Sequence, residues 1–166
     1  VPTDFTKVAD CAMDHAAGLA KRTGAEIHIL HIVSKQSELE EARMKVGLEV
    51  ERAKRTSGSV KVEPLVRVGS VYDEIGNSAS EIGAELIIMG THGMRGMQFI
   101  TGSRALRVIT NSSVPFIVVQ EKNIGPEGYS DIVVPMDLQK ETRQKVALVA
   151  DMAKYFDSRV HVVVPR

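Results

Sequence analysis

Residues Ala84 to Met89 read AELIIM, an apolar run without alternation, and a glycine-rich stretch from Gly90 to Gly102 follows it directly. A strand with one wet face alternates. A run without alternation is expected where both faces are covered, as in a parallel sheet flanked by helices. The rest of the chain supplies those helices and strands in turn. Phe5, Val8, Ala9, Ala12, Met13, Ala16 and Ala20 recur at helical spacing, with Thr3, Asp4 or Thr6 available as N-cap and Gly24 as terminator. Strands are expected at Glu26 to Val33, Lys61 to Val68 and Pro115 to Gln120. Ser37 is placed to cap a charged helix running to about Ser57, whose inner face holds Leu39, Val46, Val50 and Ala53, with Arg43 spanning a gap. A shorter helix opens at Ser70 with Val71, Ile75, Ala79 and Ile82 inward, and another covers Ser103 to Thr110 with Ala105, Val108 and Ile109 inward. Strand and helix alternating in this way predict an α/β fold, a doubly wound five-stranded parallel sheet with right-handed crossovers.

Composition narrows the function. The 166 residues hold 21 basic and 21 acidic side chains, so no net field recruits nucleic acid or an anionic membrane. Three tyrosines and four phenylalanines, with no tryptophan, provide no stacking platform for single strands. The single cysteine, Cys11, excludes an internal disulfide framework and a cysteine zinc cluster, and fits a reducing compartment. Apolar runs such as Leu86 to Met89 and Phe116 to Val119 are far too short to span a bilayer, so the expected location is cytoplasmic.

Residues Glu121 to Tyr129, EKNIGPEGY, have linker composition, and beyond them the chain restarts. At a constant offset of 133, Val1, Pro2, Asp4, Lys7, Ala17, Ala20, Lys21 and His28 fall on Val134, Pro135, Asp137, Lys140, Ala150, Ala153, Lys154 and His161. An internal repeat is expected. The predicted organisation is one domain over 1–121, a linker over 122–130 and a partial second repeat over 131–166. Asp131 to Val133 precede the second Val-Pro, so the first copy is expected to lack part of its opening strand. The second copy stops after strand, helix, strand, and Arg166 is not expected to be a natural end.

The chemistry concentrates in Met89-Gly90-Thr91-His92-Gly93 through Gly102-Ser103. A glycine-rich loop after a parallel strand lets backbone N–H groups approach a phosphate, and the following helix N-terminus adds partial positive charge. Gly102 permits a tight turn there, and Ser103 offers a hydroxyl and an N–H. MGTHG after a buried strand, GS opening a helix and then NSSVPFIVVQ resemble the signature of universal stress proteins. VPTDF, LHIV and VGSVYDEIGNSASEIGAELIIMGTHG fit the same family, and the repeat is similar to its tandem subtype. The resemblance implies an adenine-nucleotide α-hydrolase-like fold and a regulatory module that holds ATP, with or without Mg²⁺. It implies no catalytic residue, or at most slow ATP hydrolysis.

The site residues implied are Asp4 for base or ribose, the backbone near Ile32 for adenine, and Met89, Gly90, Gly93, Gly102 and Ser103 for ribose and phosphates. The family pattern has nine residues between its second and third glycines, whereas eight, Met94 to Thr101, separate Gly93 from Gly102 here. Arg104 stands where a small apolar residue is usual, as a phosphate clamp or a cover for the loop. The alternative is a protein-interaction module of the same fold without nucleotide. The resemblance also implies pairing through the last strand, as a homodimer or between tandem halves. PFIVVQ carries no lysine to protect a sheet edge.

Other polar residues have plain readings. His92 is expected to order its loop. His28 and His31, three apart on a strand, point to opposite faces, form no metal pair and are expected to pack in the core or at its rim. Asp4 has two open roles, helix cap and ligand contact, and Asp137 shares the ambiguity. Arg95 and Arg107 are expected to face solvent, as is the charged side of Glu38 to Arg55.

Overall fold

The computed structural model describes residues 1–91, 102–136 and 142–164. They form two compact units, Val1–Asn123 and Ile124–Arg166. The division falls inside the segment whose composition marks a linker.

In the first unit, helix α1 (Lys7–Thr23) is followed by β1 (Ile27–Val33), α2 (Leu39–Ser57), β2 (Val62–Val68), α3 (Val71–Glu81), β3 (Ile87–Gly90), α4 (Gly102–Thr110) and β4 (Phe116–Val119). β1 pairs in parallel with β2, and β3 in parallel with β4. Residues 1–3 join the free side of β1: Thr3 N–H donates to the Leu30 carbonyl, and Leu30 N–H donates to that of Val1. Among the described residues no ladder joins this opening segment to β3, so the strands stand as two-stranded ladders rather than one continuous sheet.

Two apolar clusters hold the ladders. Ile27 and Ile29 face α1 and α2, meeting Ala12, Ala16, Val46 and Val50, whereas Leu30 faces α3 and α4 with Ile75, Ala79 and Val108. The strand alternates, but both of its faces are covered. α1 uses alanines along its buried stripe, which lets it lie close to β3. Gly24 closes α1 at φ 74°, as a C-terminal glycine does.

α2 differs from expectation at its start. Ser37 lies in a 3₁₀ turn over Gln36–Glu38, and the α-helix begins at Leu39. Its inner face is Ala42, Val46, Val50, Ala53 and Ser57, while Arg43 is exposed and paired with Glu40 at 2.9 Å. Val46, Val50 and Ala53 stand inward as their spacing predicts, and Ala42, four residues before Val46, fills the inward place that Arg43 was expected to span.

After β4 the chain lies along α1. Lys7 pairs with Glu121 at 2.6 Å, the Cys11 thiol donates to Asn123 Oδ1 at 3.0 Å, and His15 Nε2 meets the Lys122 carbonyl at 3.0 Å. Those three residues stand one helical turn apart, on one face.

The second unit contains β5 (Asp131–Pro135), α5 (Thr142–Phe156) and β6 (Arg159–Val163), the strands parallel. The offset of 133 carries the first unit's opening register onto it. Pro2 pairs with Leu30, and Pro135 with Val163; Thr3 N–H bonds the Leu30 carbonyl, and Met136 N–H that of Val163. α1 ends at Thr23 and α5 at Phe156; the next residues, Gly24 and Asp157, both have positive φ, 74° and 53°.

Candidate functional site

The carboxyl ends of the opening segment, β1 and β3 meet at a cleft of about 430 Å³, a size suited to a small ligand. Its walls come from β1, the start of α2, the first turns of α1 and α3, and the end of β3. A cleft beyond the strand ends, where the chain switches from one ladder to the other, is where α/β proteins bind ligands.

Asp4, Ile32, Met89 and Gly90 all line this cleft. Asp4 sits between the opening segment and α1, and its Oδ1 accepts from Thr6 N–H at 3.1 Å and Thr6 Oγ1–H at 2.5 Å. The N-cap of α1 is Thr6, with no side-chain cap, so Asp4 orders the turn before the helix rather than capping it. Met89 is 1% exposed and anchors the end of β3. Gly90 lies under the first turn of α1: a Cβ there would stand 2.4 Å from the Val8 carbonyl oxygen. Glycine is therefore required by helix–strand packing at the same point where the cleft opens.

Gly93 lies outside the described residues, as do His92, Arg95 and Asp137. Gly102, Ser103 and Arg104 form the first turn of α4. Arg107 lies over the Tyr72 ring, 4.5 Å from its centroid.

Four polar residues that the sequence reading assigned to packing or solvent also line the cleft: His31, Glu38, Glu41 and Lys45. Glu38 Oε2 accepts from the backbone N–H groups of Ser34 and Lys35 at 3.1 and 2.9 Å, which fixes the turn leaving β1. Glu41 and Lys45, one turn apart on α2, pair at 2.6 Å, and the ammonium holds the Glu41 carboxyl below its ordinary range. Lys45 is the one lysine or arginine among the described lining residues, against three carboxylates, Asp4, Glu38 and Glu41, and its ion pair is with Glu41. This wall suits hydrogen-bond donors rather than phosphate. Their signal was position alone, because His31 lies near the carboxyl end of β1 and Glu38, Glu41 and Lys45 follow that end within a few turns.

Parallel ladders flanked by helices, with an open cleft at the switch between them, define the class of α/β proteins that receive small ligands at strand ends. Within that class, the sequence profile of the universal stress protein family matches residues 1–120, and the chain belongs to that family. Universal stress protein MJ0577 of Methanocaldococcus jannaschii is 28% identical over 152 residues, covering 74% of this chain and 93% of that protein. The solved structure of MJ0577 superposes with a TM-score of 0.56 at 27% identity, over 74% of this chain and 94% of that one. Two further structures share the fold. A universal stress protein in complex with cAMP has a TM-score of 0.58 at 21% identity, covering 74% of this chain and 94% of its own. One from Archaeoglobus fulgidus in complex with dAMP has 0.56 at 24%, covering 71% and 93%. No described helix is long and apolar enough to cross a membrane.

Proposed function

We propose that this chain is a cytoplasmic stress-response module that holds an adenine nucleotide, ATP, in the cleft and does not turn it over quickly. The observation that carries the reading is the convergence of Asp4, Ile32 and the Met89–Gly90 strand end, from three separate segments, on one cleft. The two relatives of like fold whose structures contain cAMP and dAMP support an adenine ligand. In this reading Asp4 accepts from ribose or base, the backbone near Ile32 meets adenine, and Met89, Gly90, Gly93, Gly102 and Ser103 take ribose and phosphates. Arg104, with Mg²⁺ where the phosphates bind it, would in this reading balance the phosphate charge. In this reading the two ladders and the opening segment belong to one doubly wound five-stranded arrangement, and residues 131–166 are a partial second copy of the first unit's opening. Calorimetric titration with ATP, ADP and AMP tests the reading. Tighter binding with more phosphates is expected, and no heat at millimolar ATP from folded protein would end it.

A second reading, an interaction module of the same fold, draws support from β4. Among the described residues that strand pairs only with β3, and Val118 is 44% exposed. In this reading a second copy of the chain pairs along β4, and association persists without nucleotide.

A further inference from the structure

We propose that His31 is a positioning residue for Asp4, clamping the loop that presents the Asp4 carboxylate to the cleft. The proposal rests on the nucleotide reading for its consequence, but its geometry stands apart from it. Thr3 is held twice by consecutive residues of β1. Its N–H donates to the Leu30 carbonyl at 2.8 Å, and its own carbonyl meets His31 Nδ1 at 2.8 Å. A carbonyl only accepts, so Nδ1 carries the proton, and the hydrogen bond selects that tautomer.

The same imidazole packs on the residue after Asp4. The Phe5 and His31 rings lie 4.5 Å apart at 45°. Phe5 has φ of 62°, in the left-handed region that a bulky side chain seldom occupies. Its N–H donates to Thr3 Oγ1 at 3.0 Å, and the ring contact holds the far end of this turn. Asp4 is thus bracketed: Thr3 is fixed to His31 by a hydrogen bond, Phe5 by ring packing, and Thr6 by Asp4 Oδ1. The carboxylate lies between fixed points, on a wall that His31 shares.

The two contacts separate by substitution. His31→Asn keeps a donor at the place of Nδ1 but removes the ring, and His31→Phe keeps the ring but removes the donor. ATP affinity is measured for these variants, alone and combined with Asp4→Ala, with backbone amide exchange at Phe5 and Thr6 as a readout that needs no ligand. His31→Phe is expected to weaken ATP about tenfold, the cost of a lost hydrogen bond at a partly buried carbonyl, while His31→Asn retains most affinity. In the Asp4→Ala background His31→Phe is expected to add nothing, because the group it positions is gone. Exchange at Phe5 and Thr6 is expected to quicken in His31→Phe. Wild-type affinity in His31→Phe, or losses that simply add, would overturn the proposal, as would unchanged exchange. Failure of the wild-type protein to take ATP would overturn the nucleotide reading, and the exchange readout alone would then decide the clamp.

Discussion

A methyl group placed on Gly90 would meet the Val8 carbonyl at 2.4 Å and Ala9 N at 3.1 Å, both backbone atoms of the first turn of α1. Neither can yield without moving the helix. Gly90→Ala is therefore expected to cost about 2–3 kcal/mol by overpacking, read as a lower urea midpoint with an unchanged slope. A wild-type midpoint would show that α1 slides freely over β3. Cys11 gives a second expectation. It is 2% exposed, and burial, with Asp14 and Glu121 nearby, raises its thiol above the ordinary value of 9.0. Alkylation in the native state should be slow and should become fast on unfolding. The sign for stability follows: the unfolded thiol loses its proton first, so this contribution declines as pH rises above 9.0, where the unfolded state binds fewer protons. At this scale the sequence left Asp4 with two roles, because composition cannot show which donors reach its oxygens. His31 read as packing for a similar reason. Alternation places a strand side chain on a face, but the carbonyl it meets, Thr3, lies 28 residues away in the chain.

Elements were legible where periodicity is strong. The alanine-rich stripe of α1 and the apolar run ending in β3 are visible in the letters, and the helices stand where spacing puts them. The start of α2 was not: Val46, Val50 and Ala53 were readable as its inner face, but Ala42 rather than Arg43 continues that stripe, and a 3₁₀ turn over Gln36–Glu38 precedes the helix. Sheet edges show a usable contrast. β2 carries Pro64 with Glu63 and Arg67, devices that block further pairing, whereas β4 is Phe116-Ile117-Val118-Val119. Val118→Lys should therefore shift any self-association toward monomer in sedimentation, with the fold unchanged; an unaffected assembly would place the contact elsewhere. The repeat proposal has its own test at the helix ends. Gly24 and Asp157 occupy equivalent left-handed positions, and aspartate is the costlier residue there. Asp157→Gly should stabilise the second unit by about 0.5–1 kcal/mol, whereas Gly24→Val should destabilise the first. Loss of stability in Asp157→Gly would argue that the two helix ends differ in kind.

For the whole chain, composition located a break but not its position. The polar stretch from Glu121 reads as linker, yet Lys7, Cys11 and His15 on one face of α1 hold Glu121, Lys122 and Asn123, so the first unit ends at Asn123. The second unit closes its own turn at Gly125–Gly128 and packs Tyr129 edge-on against Phe156. Two units of separate packing predict that a ligand stabilises only the one containing its site. The cleft is lined entirely by residues of the first unit. With ATP at one hundred times its dissociation constant, mass action adds about 2.7 kcal/mol to the folded state that binds it. Hydrogen exchange of the slowest amides in α1, β1 and β3 should then slow by roughly a hundredfold, since 1.4 kcal/mol is a factor of ten. Amides of β5, α5 and β6 should keep their rates. Equal slowing in both units would mean that they unfold together, and slowing confined to the second would remove the cleft as the nucleotide site.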